Sequence, residues 1–216
     1  MAILKGPNEL YGSIGDLVYY TLNGKQVVRR KSGFSTDAFK NNPNYKNVKN
    51  NSSEFGHCSK SGKLIRTTIE PFIKSLEDKY LYQRFTKLMT DIKDLDIAEK
   101  GQRRIESGLK NPRALLLLKD FKFGDVDPIS NHVVAGGSFF SKSFSLKSTV
   151  DADRLQLLTL SPDLNRLELQ YETQEVDILK RKQILEFELY FQENHPLLFF
   201  AILYKGQKIL AAGFTE

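Results

Sequence analysis

The feature that most restricts what this chain can fold into is a change of hydrophobic period part-way along it. Phe55, Cys58, Gly62, Ile65, Ile69, Phe72 and Leu76 recur at spacings of three and four, which places them on one stripe of a helix. Leu81, Phe85, Leu88, Ile92 and Leu95 repeat that spacing in a second helix. From about Asn131 the period becomes two. Leu167, Leu169 and Tyr171 alternate with Glu168, Gln170 and Glu172, and Leu185, Phe187, Leu189 and Phe191 alternate with Glu186, Glu188 and Tyr190. Such alternation belongs to antiparallel strands with one face buried and one wet. Further strands are expected over residues 132–146, 155–160, 197–204 and 207–214, with Lys205-Gly206 as a tight turn. The expected fold class is α+β: an N-terminal β-hairpin, a helical middle segment and a C-terminal antiparallel β-sandwich of six short strands.

Local signals sharpen this outline. Asn23-Gly24 lies between the strand-forming runs 16–22 and 25–29 and predicts a type I′ hairpin, whose central residues both need positive φ. Gly12, Ser13 and Gly15 before it mark a tight loop. Residues 31–52 carry six Asn and a Pro and read as a linker or long surface loop, with Asn51, Ser52 or Ser53 capping the helix that follows. Pro71 predicts a break or kink near Ile69 and Glu70.

The charge is unevenly spread. Residues 1–122 hold 23 Lys/Arg against 13 Asp/Glu, and residues 123–216 hold 9 against 13. We therefore expect two regions, 1–122 basic with hairpin and helices, and 123–216 an all-β domain. No stretch reaches the ~18 consecutive apolar residues of a membrane helix, so no membrane span is expected. The N-terminus has no basic segment followed by an apolar core, which makes the cytoplasm the default compartment. One cysteine, Cys58, excludes an internal disulfide framework.

Catalytic signatures are missing from the sequence. His57, His132 and His195 stand far apart, outside any zinc-ligand spacing. Cys58 lies beside His57 but on the apolar stripe, which favours a buried structural thiol over a reactive one. The pairs Asp94/Asp96, Asp125/Asp127 and Asp151/Asp153 sit at element boundaries, where Asp serves as a cap or turn residue. The run 12–15 does not complete a phosphate loop, and Gly136-Gly137-Ser138 lacks the last Gly of a nucleophile elbow. No catalytic residue, cofactor, metal or small-molecule substrate is expected. The candidate contact residues are the basic set Lys25, Arg29, Arg30, Lys31, Lys40, Lys46, Lys49, Lys60, Lys63 and Arg66, with Tyr19, Tyr20, Phe34, Phe39 and Tyr45 interleaved or adjacent. This set suits a polyanion or an acidic protein partner.

The pattern Gly12-x-Ile14-Gly15-x-x-Val18-x-Tyr20-x-x-x-Gly24-Lys25-x-Val27-x-Arg29 resembles the opening of a group of uncharacterised Bacteroidota proteins. The segments Lys100-Gly-Gln-Arg-Arg104 and Leu118-Lys-Asp-Phe121 are similar to theirs as well. The resemblance implies a Gly-rich turn and hairpin, a helical segment and a C-terminal all-β region. It implies no activity, because its motifs are turn and hairpin residues. The functional expectation is a non-enzymatic interaction or structural module, an accessory of a larger cell-surface, secretion or phage-like assembly. A protein partner is expected first and nucleic acid second, through residues 25–66. A carbohydrate-binding sandwich using Glu168, Glu172, Glu186 or Glu188 is the third reading. If Phe187, Tyr190, Phe191, Phe199, Phe200 and Tyr204 exceed what one core buries, the excess would mark an interface.

Overall fold

A computed structural model describes residues 2–4, 10–31, 36–137, 141–147, 150–179, 184–189, 191 and 196–215, with the backbone alone at 2–4, 37 and 38. Phe34, Ser138, Tyr190 and His195 lie outside the described residues. The chain forms two compact units, Met1–Val48 and Lys49–Glu216.

The first unit is an antiparallel meander in the order β1-β2-β3-β4: β1 (Ala2–Leu4), β2 (Leu10–Ile14), β3 (Leu17–Leu22) and β4 (Lys25–Arg30). Asn23 (φ 50°) and Gly24 (φ 74°) both take positive φ, as the type I′ turn requires. Gly12 and Ser13 belong to β2, and the turn into β3 is Gly15-Asp16. Residues 36–52, expected as part of a linker or long surface loop, are largely helical. Helix α1 (Thr36–Asn41) precedes a 3₁₀ turn at Pro43–Tyr45, which Asn42 caps by accepting from the Asn44 N–H at 3.0 Å. Helix α2 (Lys46–Ile73) then starts several residues before the expected caps at 51–53. An Asn-rich, polar run reads as loop, yet Asn also caps helices, and a helix packed along one face tolerates poor helix formers.

The second unit is built in three layers. Helices α2, α3 (Leu81–Lys93), α4 (Ile105–Leu109) and α5 (Pro112–Lys119) form the first. A four-stranded antiparallel sheet is the second, ordered β11-β10-β7-β8, from β7 (Arg154–Asp163), β8 (Glu168–Asp177), β10 (Leu198–Lys205) and β11 (Lys208–Thr215). A three-stranded sheet is the third, ordered β5-β6-β9, from β5 (Val133–Gly137), β6 (Ser141–Leu146) and β9 (Ile184–Glu188). The α+β class and the antiparallel C-terminal sheets follow the expectation.

The middle sheet is covered on both faces. Leu158, Leu160, Phe200, Ile202 and Phe214 pack into one core with Ile65, Ile69, Phe85, Met89 and Ile92 of the helices. Leu155, Leu157, Ala201 and Leu203 point the other way, into a second core with Val133, Phe144, Leu185 and Phe187. Central β10 therefore reads as an unbroken apolar run, whereas β9 alternates. Residue 122 falls next to Phe123, which is fully buried in the helix-side core, so the expected boundary at 122/123 runs through a shared core and not between two domains.

Pro71 does not break α2. It lies on the exposed side within the last turn, and the helix runs on to Ile73 before the 3₁₀ turn Lys74–Leu76. Only the Thr67 carbonyl loses a helical donor there, at a position open to water. Helix α3 stops at Lys93, so Leu95 packs from beyond its end. Leu167 is the left-handed turn residue before β8 (φ 58°) and 36% exposed, not a core-facing strand position.

Candidate functional site

The predicted basic residues divide between the units. Lys25, Arg29 and Arg30 lie on β4, with Lys31 directly after it, Lys40 on α1 and Lys46 at the start of α2. Strand alternation puts Lys25 and Arg29 on one face of β4 and Arg30 on the other. In the second unit, Lys49, Lys60 and Lys63 fall within about 60° of one another around α2. Arg66 is engaged already: it bonds Glu70 at 2.7 Å and lies over the Tyr82 ring. The expected aromatic platform is weaker than the sequence suggests. Phe39 and Tyr45 pack against each other at 5.9 Å, and Tyr19 and Tyr20 are half-buried.

The first sheet has an unusual surface. Among residues 10–31 no side chain is buried. Apolar residues nonetheless occupy both faces, with Ile14 and Val28 on one and Tyr11 and Leu22 on the other, each about half exposed.

The strongest electrostatic feature is one that periodicity did not reveal. Glu54, 2% exposed, takes the place on the α2 stripe that was assigned to Phe55, which is 57% exposed. Its Oε1 accepts from the Gly101 N–H at 2.6 Å and from Arg103 Nε at 3.0 Å. Its Oε2 accepts from Lys93 Nζ at 2.8 Å and Arg103 Nη2 at 2.6 Å. Asp94 closes the group, with its Oδ1 2.6 Å from Lys93 Nζ and 2.5 Å from Arg103 Nη1. The Arg103 bonds hold the Glu54 carboxyl far below the usual carboxylate range, outweighing burial, with Lys93 and Gly101 adding to the effect. Burial opposes the charge on Lys93, yet the bonds to Asp94 and Glu54 raise it overall. Two acids and two bases cancel, and both Glu54 oxygens are occupied. The cluster ties the 94–104 loop to α2 and α3. The signal was a Glu four residues before Cys58 on a buried stripe.

Other titratable groups also serve the scaffold. His57 Nε2 and Glu106 Oε2 are 3.2 Å apart; burial would raise the Glu106 carboxyl, but the His57 bond, a backbone N–H and the nearby Arg104 together keep it low. Cys58 instead points inward, its thiol 3.8 Å from the Met89 carbonyl and pushed up by burial. Asp78 accepts from the Gly124 and Tyr80 N–H groups and from Arg84; these bonds outweigh burial and lower its carboxyl. Asp96 accepts from the Ala98 and Arg104 N–H groups, Asp153 from that of Gly206, and Asp151 from Lys205. Asp127 lies 3.5 Å from His132. Among the described residues no cluster of three or more His, Cys, Asp or Glu is placed to hold a metal ion.

A cleft of about 290 Å³ opens between the start of α5 and the ends of β10 and β11, walled by Leu109, Pro112, Leu115, Leu197, Phe199 and Phe214. The Asn111 side chain at its rim already caps α5, accepting from the Arg113 N–H at 3.0 Å. Glu168, Glu172, Glu186 and Glu188 stand exposed on β8 and β9, outside this cleft. Phe187, Phe199 and Phe200 are core residues, and Tyr204 is half-buried, bonding Gln156. No described helix is long and apolar enough to cross a membrane.

Comparison with protein-family models, with curated proteins and with solved structures returns no match.

Proposed function

We propose that this chain is a non-enzymatic interaction module, an accessory subunit of a larger cell-surface, secretion or phage-like assembly, and that its N-terminal sheet is the docking element. The observation that carries this reading is the meander β1–β4: apolar side chains on both faces and none buried among residues 10–31. A small sheet gains stability by covering an apolar face, so a partner that covers Ile14 and Val28, or Tyr11 and Leu22, has area to bury. The ion clusters support the same reading, since their polar groups are turned inward on the scaffold.

The test is a pull-down of the tagged full chain from its native cells at low salt, with and without nuclease, beside an Ile14→Ser/Val28→Ser variant. A stoichiometric protein partner that survives nuclease and is lost from the variant supports the proposal. Equal capture by both chains overturns it. Recovery of nucleic acid, with partners lost on nuclease treatment, would favour the basic residues as a polyanion surface instead. The Lys49, Lys60 and Lys63 side of α2 is the observation behind that second reading.

A further inference from the structure

Among the described residues, β4 and β8 each end a sheet, and their charges are opposite. β4 ends the first sheet and β8 ends the middle sheet of the second unit. β4 carries Lys25, Arg29 and Arg30 and no acid; β8 carries Glu168, Glu172, Glu175 and Asp177 and no base. Exposed edges offer a row of unmet N–H and C=O groups, which single proteins commonly guard with charge. Guarding alone needs no particular sign. Here one edge is wholly basic and the other wholly acidic.

Spacing and placement agree with the charges. Lys25 and Arg29 share one face of β4, and Glu168 and Glu172 share one face of β8, each pair four residues or roughly 13 Å apart. None of these four residues forms an ion pair among the described residues. In β8 every residue from Glu168 to Thr173 is exposed except Leu169. Gln174, further along, is bonded to the Glu188 backbone of β9, so the open part of the edge is the half that bears Glu168 and Glu172.

We infer that β4 of one copy pairs edge to edge with β8 of a second copy, joining the molecules head to tail. The inference deepens the docking role proposed above and rests on it. Main-chain bonds would supply the pairing, and the charge pairs its sign and alignment. Because the two surfaces differ, the contact is heterologous. It extends into a filament unless the rotation closes a ring, which fits a subunit of an assembly.

Light scattering and sedimentation of the full chain, over a range of concentration and at about 0.05 and 1 M salt, decide the matter. Wild type should self-associate with concentration at low salt and dissociate at high salt. Arg29→Glu/Arg30→Glu and Glu168→Lys/Glu172→Lys should each weaken association at least tenfold, and an equimolar mixture of the two should restore it. All four positions are exposed, and unchanged thermal melts would confirm that both variants fold. A wild type that stays monomeric, or reversals without effect on mass, overturns the inference. Reversals that alter the particle's dimensions at constant monomer mass overturn it too, since the edges then meet within one chain. A wild type that stays monomeric yet still captures the cellular partner refutes only this pairing and leaves the docking proposal standing.

Discussion

At the scale of single residues, the buried ion cluster governs the largest effects. Removing Glu54 takes from Lys93, 4% exposed, and Arg103 their buried counter-ion and leaves them the half-exposed Asp94. Glu54→Ala should therefore cost about 3–5 kcal/mol in denaturant unfolding. The pH dependence has a definite sign. The folded Glu54 carboxyl lies below its ordinary 4.5, so its contribution is complete above about that pH and is lost as pH falls toward the folded value. The stability gap between wild type and Glu54→Gln should be constant near neutrality and shrink progressively in acid; a gap that widens in acid would contradict the cluster. Gly108 is a second such position. A Cβ there would sit 2.0 Å from the Ile92 carbonyl oxygen, so Gly108→Ala must push α4 off α3 and should cost about 1–3 kcal/mol by thermal or chemical unfolding. In sequence, Gly108 looked only like punctuation.

At the scale of elements, turns decide which strands form and layers decide which faces are buried. Asn23-Gly24 was legible because type I′ geometry admits few residues. Gly24→Val forces a β-branched side chain to φ near 74° and should cost about 1–2 kcal/mol. Its effect belongs to the first unit: amide exchange should speed up over residues 10–30 and stay unchanged in α3 and β10. Other elements were less legible. The start of α2 was hidden because Asn is read as loop when its neighbours are polar. Apolar periodicity puts Phe55 on the stripe and passes over Glu54, because it cannot register a carboxylate whose partners are 39 and 49 residues away.

At the scale of the whole molecule, the middle sheet couples everything in the second unit. Phe200 is fully buried on the helix side, packed against Phe123 at 4.9 Å and Phe214 at 5.2 Å. Phe200→Ala should cost about 3–5 kcal/mol. Helical and sheet signals should then melt in one transition, since both cores share that sheet; two separate transitions would restore the boundary expected at 122/123.

The sequence by itself determined the α+β class, the period switch, the Asn-Gly hairpin and several of the C-terminal strands, although the single strand expected over 132–146 is the paired β5 and β6. Each rests on interactions within a few residues or on a repeat visible along the chain. Only the tertiary structure decided that the sheet near the C-terminus lies between helices and a second sheet. It also decided that Glu54 is caged by Lys93 and Arg103, and that a basic strand and an acidic strand each end a sheet. Those facts depend on which distant segments come together, and a one-dimensional pattern carries burial and period but not partners.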